Sequence, residues 1–350
     1  MHVPKLSAFS MVLFRAVWSQ TMKKVSVFMD VEDPINPLAD DAALDLAKLF
    51  TEACVRGSFC VTGEKCRTLV ARGRNDVLDA FRPHCLGLHT DTHSFHLTTM
   101  ELLEDVAFDE GCRRAYDTER RGRDAFARAF GREPAFWGGA GNTWGPEISD
   151  ALKRLGIPAY AYALTELPDG AVHCFNGVFA LPQHLSISEI DWADDARAAR
   201  RSAEVLEKII DPSSLPDWIG LFVGHPTKLR YAEFWDGPYA KGRTPPGPEY
   251  GEPLPEEVYE RSKANLRAFL PRLQASAEIV GVDEALALPW QLRRPTTEDT
   301  AYFEKHTSHN LRSATGWPIH HPGLTADLIV AKTMALRETV EIATLPLPHK

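Results

Sequence analysis

The sequence predicts an α/β fold, a distorted (β/α) barrel of about seven parallel strands with a C-terminal extension. Three observations carry this. Short apolar segments alternate with helical ones from Val25 to Val282, as in parallel strands joined by crossover helices. The number of units, about seven or eight, suits a barrel. Asp30, His89 and His225 each stand at or just beyond a predicted strand end, where barrels display their chemistry.

The elements follow in order. Val25 to Met29 is short, apolar and β-branched, a buried strand that ends in the acids Asp30, Glu32 and Asp33. Ala39 to Cys54 has helical spacing. Ser58 to Val61 is a second strand, Val77 to Phe81 a short helix and Cys85 to His89 a third strand. Glu101 to Phe130 reads as one long amphipathic helix. Ala135 to Trp137 is a short strand. Pro146 to Leu155 is a helix with proline in its first turn and Gly156 just past its end. Strands at Ala159 to Ala163 and Val178 to Leu181, a helix at Ala196 to Ile210 and a buried strand at Ile219 to Gly224 continue the alternation. A helix at Glu256 to Ala275 and a strand at Glu278 to Val282 close it.

Two stretches break the pattern. Tyr231 to Pro255 is rich in proline, glycine and aromatics, a long ordered loop near a site. Its aromatics, Trp235 among them, either form a platform for a sugar ring or pack the loop onto the barrel. Residues 289–350 form the extension, a lid or a contact between copies in a homo-oligomer, with one helix at Ala326 to Glu341. The barrel proper spans residues 22–288.

Composition bounds the function. The chain has 350 residues, 44% hydrophobic and 25% charged, enough for a sizeable core. A net charge of −9 argues against nucleic acid, because phosphate binding needs a basic face. A carbohydrate or small-molecule substrate is compatible with it. Six cysteines (Cys54, Cys60, Cys66, Cys85, Cys112 and Cys174) form no CxxC pair and no disulfide framework, so reduced thiols in a cytoplasmic protein are expected. Leu6 to Trp18 is apolar after Lys5, but Arg15 interrupts it and no small-x-small cleavage site follows. The run is too short to span a membrane. Residues 1–21 are read as a loose arm, or Met22 as the natural start.

The chemistry concentrates at three places. In Gly87-Leu88-His89-Thr90-Asp91-Thr92-His93, two imidazoles four apart share one face if the segment turns helically after its strand. Two histidines need a carboxylate to complete a catalytic zinc-type triad. Among Asp30, Glu32 and Asp33, one acid serves as general base and another as third ligand; Asp33-Pro34 also reads as a turn. His225 follows the apolar strand Leu221 to Gly224, where a barrel displays a catalytic group.

With these residues in view, the chain resembles a polysaccharide deacetylase with a NodB homology domain, as a divergent member, over about Lys24 to Leu288. That family ends a strand in paired acids, matched by Phe28-Met29-Asp30-Val31-Glu32-Asp33-Pro34. Its H(S/T)xxH motif is matched by His89 to His93, a following leucine-threonine pair by Leu97-Thr98, and its late strand ending in histidine by Leu221 to His225. The resemblance implies Asp30 as general base, His225 as general acid, and one divalent ion, zinc, held by His89, His93 and one acid. The acid is Glu32 or Asp33; its place two residues after the base favours Glu32. The arginine of the family's third motif has no counterpart in Phe136 to Ala140, and its tryptophan-bearing fourth motif is not recognisable. The reaction implied is metal-assisted hydrolysis of a carbon–nitrogen amide bond, most simply deacetylation of an N-acetylated sugar or polysaccharide. A metal-independent, allantoinase-like cyclic amide hydrolase and a non-catalytic carbohydrate-binding descendant are the rivals.

Overall fold

The structure, a computed structural model, describes residues 22–103, 106–142, 144–163, 167, 171–238, 251–313 and 340–345. Its frame is one curled sheet. In chain order the strands are β1 (Lys24–Val31), β2 (Ser58–Val61), β3 (Cys85–Leu88), β4 (Trp137–Gly138), β5 (Ala159–Ala163), β6 (Val172–Phe175), β7 (Val178–Pro182), β8 (Leu185–Ser186), β9 (Trp218–Phe222), β10 (Glu278–Ile279), β11 (Gln291–Arg293) and β12 (Val340–Thr344). The sheet order is β11-β12-β6-β7-β5-β4-β3-β2-β1-β9-β8, with β10 also on β1.

From β7 through β1 to β8 every pairing is parallel. The segment from β7 to β8 bonds β5 at its start and β9 at its end, which bends the sheet toward itself. The flanking β6, β12 and β11 pair antiparallel.

Strand alternation fixes what faces inward. One cluster inside the curl contains Phe28, Cys60, Phe136, Ala161, Leu181 and Trp218. Room there is made by small residues. A Cβ on Gly87 would stand 2.6 Å from the Phe136 ring, and one on Gly220 would stand 2.4 Å from the Pro182 carbonyl oxygen. The larger cluster packs helices on the outer face, including Leu46, Phe50, Phe126, Ile148 and Leu266. Continuing the inward alternation of β1, Phe28 is followed by Asp30 and then Glu32, which places both acids at the strand's C-terminal end.

Several elements differ from expectation. The long helix divides into Thr99–Leu103 and Phe108–Phe130, because Ala107 before the second is extended (φ −61, ψ 149). The early strand at residues 135–137 shifts to Trp137–Gly138, and the third strand ends at Leu88. β6 was not foreseen. It forms a hairpin with β7 across Asn176-Gly177, both at positive φ (53° and 84°), as a two-residue primed turn requires. The extension contributes two strands to the sheet, β11 and β12, and an unexpected helix, Thr297–Ser313. Of the helix expected at residues 326–341, positions 326–339 lie outside the described residues, while Val340 and Glu341 belong to β12. Among the described residues no helix is long and apolar enough to cross a membrane.

The hairpin carries a pH-sensitive group. Burial of His173 in β6, between the Phe175 and Phe303 rings (5.4 and 4.6 Å), pulls its pKa down to about 3 against a weaker upward pull from Asp299. A lowered folded pKa stabilises above the unfolded value, and that stability is lost as pH falls from about 6.5 toward 3. Going from pH 7 to 4 removes roughly 3 kcal/mol at this site. Urea melts of His173→Phe, which keeps the ring, should show a shallower loss between these pH values; an unchanged slope contradicts the assignment.

Candidate metal centre and its surroundings

The site sits at the C-terminal end of the parallel strands. Asp30 is the penultimate residue of β1, and Glu32 follows the strand directly; both are buried. Hydrogen bonds from Ile35 N, Asn36 N and Asn36 Nδ2 to Asp33, at 2.9 to 3.0 Å, tighten the turn beyond them. Buried Lys65 donates to the Asp33 carbonyl (2.5 Å) and to Asp40 (2.5 Å), which fixes the same turn from below.

His89 is delivered by β3, its backbone N–H bonded to the Val61 carbonyl at 2.9 Å. The chain then makes a tight turn rather than a helix. Thr90 (φ 59°) and His93 (φ 52°) are left-handed, a costly conformation for a β-branched threonine, and such strain concentrates at functional sites. The His93 backbone N–H donates to Thr90 Oγ1 (3.0 Å), and the two imidazole centroids end 5.0 Å apart.

These parts converge. His89 Nε2 lies 2.8 Å and His93 Nε2 3.0 Å from the same Glu32 oxygen, Oε2. The opposite ring nitrogens decide the protons. His89 Nδ1 is 3.0 Å from the Gly138 carbonyl oxygen, which only accepts, so Nδ1 carries a proton. His93 Nδ1 is 2.7 Å from Ser94 Oγ, whose own proton goes to Asp236 (2.7 Å), so this Nδ1 is a donor as well. In the neutral rings both Nε2 lone pairs then face a carboxylate oxygen. Three electron-rich atoms around one point require two protons or one cation. The donor set of two imidazoles and a carboxylate fits a divalent transition metal, and outer hydrogen bonds to both rings are what such sites use to fix their ligands. Charge sharing is strong: burial pushes the Glu32 carboxyl up, but His93, His225 and His89 hold it well below its usual range.

Asp33 does not join this group. Its carboxylate serves the turn and accepts from Thr227 Oγ1 at 2.6 Å. Asp30 stands beside the group: its Oδ2 is 3.6 Å from His89 Nε2 and 3.8 Å from His225 Nε2. Asp30, Glu32 and His225 form one cluster of closely spaced ligand-type atoms, and Asp30, Cys60 and His89 another. Burial pushes the Cys60 thiol up to about 12, keeping it neutral.

His225 stands just past β9, with its ring edge-on to Phe222 and Phe234, both 5.1 Å away. Its backbone N–H donates to Glu189 Oε1 at 2.6 Å, and its Nδ1 donates to the same oxygen. Burial draws its pKa down, yet Glu189, Glu32 and Asp30 outweigh this and raise it to about 9. Glu189 in turn is lowered despite its burial, through its charge pairing with His225.

Sequence reading missed Glu189, Ser94 and Asp236. The cue for Glu189 was a helix start at Ser188 soon after a strand, with a capping box to Asp191. Trp235 is fully buried: its Nε1 donates to Glu32 Oε1 (3.2 Å), and its ring packs on His93 and Phe95. It is a packing residue of the site, not an exposed platform. Residues 239–250 of the loop, Tyr239 and Tyr250 included, lie outside the described residues.

No protein-family model matches the chain, and no curated protein sequence matches it. Solved structures do. A Mycobacterium smegmatis protein described as a polysaccharide deacetylase is 15% identical, with a TM-score of 0.51 over 80% of this chain and 96% of that one. The 4-alpha-glucanotransferase of Thermococcus litoralis is 14% identical, with a TM-score of 0.50 over 77% of this chain and 40% of that one. A CE4 family pseudoenzyme from Bacillus anthracis is 11% identical, with a TM-score of 0.41 over 76% of this chain and 66% of that one. At these identities the first two likenesses establish a shared fold and nothing finer.

Proposed function

We propose that the chain is a metal-dependent hydrolase of carbon–nitrogen amide bonds, and that it removes the acetyl group from an N-acetylated sugar or polysaccharide. The observation that carries this is the convergence of His89 Nε2 and His93 Nε2 on one Glu32 oxygen, with both Nδ1 atoms committed as donors. The sheet is read as a seven-member barrel, β1 to β5, the β7–β8 segment and β9, with this cluster at its mouth.

Glu32, His89 and His93 would hold the ion, zinc by its ligand types. When bound, it supplies a positive charge that polarises the acyl group and acidifies water. Asp30, beside the ligands but outside the set, accepts the proton of the attacking water. Against the pull of burial, the Glu189 carboxylate raises the pKa of His225, which gives its proton to the leaving amine. Glu189 holds the His225 ring by Nδ1, so Nε2 is the atom that delivers the proton. Asp30 and His225 thus form an acid–base pair bridged at 3.8 Å.

The test is acetate release from N-acetylated oligosaccharides. Release should stop after chelation and return with added zinc. Equal release before and after complete chelation removes the metal from the reaction, and no release from any N-acetylated sugar removes the substrate class.

A further inference from the structure

Past His225 the chain returns over the site, and three consecutive residues each touch a different part of it. The Phe234 ring packs edge-on against His225. Trp235 donates to Glu32 and packs at a tilt against His93, 5.4 Å between centroids. Asp236 accepts from Ser94 Oγ at 2.7 Å, across 142 residues of sequence. Asp236 is 2% exposed and Ser94 fully buried. A carboxylate is costly to bury, so one retained here at the end of a hydrogen-bonded chain calls for a function.

The chain has one direction. A hydroxyl carries a single proton, and the Asp236 carboxylate can only accept it. Ser94 Oγ is then left to accept, and its partner at 2.7 Å is His93 Nδ1. The ring proton is drawn to Nδ1, and the Nε2 lone pair is kept for the point 3.0 Å away where Glu32 Oε2 lies.

We infer that Asp236 is a positioning residue that acts through Ser94 to fix His93 as its Nδ1–H tautomer, and thereby sets the affinity of the Glu32–His89–His93 set for a divalent ion. The inference rests on the metal reading above. The two histidines are oriented by different devices. His89 leans on the Gly138 backbone carbonyl, which no side-chain replacement removes, whereas His93 depends on two side chains. The affinity is therefore adjustable through the His93 Nδ1 partners, and the adjusting residue belongs to the segment that also covers His225 and Glu32.

The experiment measures zinc affinity by competition with a chromophoric chelator, for the full-length wild type and for Ser94→Ala, Asp236→Ala, Asp236→Asn and the double alanine variant. Outer-shell partners of metal ligands are typically worth about 10- to 100-fold in affinity. Asp236→Ala and Ser94→Ala should each weaken binding by that factor, and the double variant should be no weaker than Ser94→Ala alone. Asp236→Asn keeps an acceptor oxygen without the charge, so a smaller loss is expected; it also carries the test if the alanine variant does not fold. Histidine ¹⁵N spectra of the metal-free protein should show His93 moving from Nδ1–H toward a tautomer mixture in Asp236→Ala. Unchanged affinity in both folded Asp236 variants, or losses that add in the double variant, overturns the inference while leaving the metal reading intact. If the wild type binds no zinc, the metal reading fails and takes the affinity claim with it; an unaltered His93 tautomer in Asp236→Ala then refutes the relay itself.

Discussion

Replacing Asp30 with Asn lowers the rate of acetate release by roughly 10²–10⁴-fold while the protein keeps its ion, since a positioned general base contributes about that much. Asn preserves the shape at the end of β1 but cannot accept the proton of water. The prediction separates base from ligand. Asp30 Oδ2 stands 3.6 Å from His89 Nε2, farther than Glu32 Oε2 at 2.8 Å, so its loss should leave the ligand set standing. Steady-state kinetics beside a zinc titration checks it. Loss of zinc binding in Asp30→Asn, with binding intact in Glu32→Gln, would exchange the two roles.

Glu32 and Asp33 are neighbours with opposite expected effects. Glu32→Gln should weaken zinc binding by orders of magnitude, because it replaces a carboxylate that both imidazole Nε2 atoms approach within 3.0 Å. Asp33→Asn should keep zinc and lose stability. The Asp33 carboxylate accepts from two backbone N–H groups, the Asn36 amide and the Thr227 hydroxyl, and an Asn side chain offers one acceptor oxygen where two now serve. Each buried donor left unpaired costs about 1–3 kcal/mol, so a clear drop in melting temperature is expected. Zinc retained by Glu32→Gln, or lost in a well-folded Asp33→Asn, contradicts this split.

What could be read from the sequence follows what is local. β1, β2 and β3 are short apolar runs ending at polar groups, and their positions were legible because strand alternation needs no distant partner. The Asp30, His89 and His225 cluster was legible for the same reason: strand ends in a parallel sheet gather at one face. Asn176-Gly177 is a local hairpin signal, whereas β6 before it has no strand signature of its own beyond pairing with β7 and β12. The break before Phe108 has no proline or glycine to announce it. Ser94 and Asp236 could not be read, and Glu189 had only its helix start as a cue, because each acquires its part through a contact made across the fold, 36 residues from Glu189 to His225 and 142 from Ser94 to Asp236. β12 is likewise an ordinary five-residue segment whose strand character comes from lying beside β6.

Everything proposed for the reaction depends on Glu32, His89 and His93 forming a divalent-metal site. Elemental analysis of the purified full-length protein, without added metal or chelator, tests it most directly. The expected result is about one zinc-type ion per chain, and none in His89→Ala or His93→Ala variants that still fold. A wild-type protein free of metal, and taking up none when zinc is supplied, would contradict it.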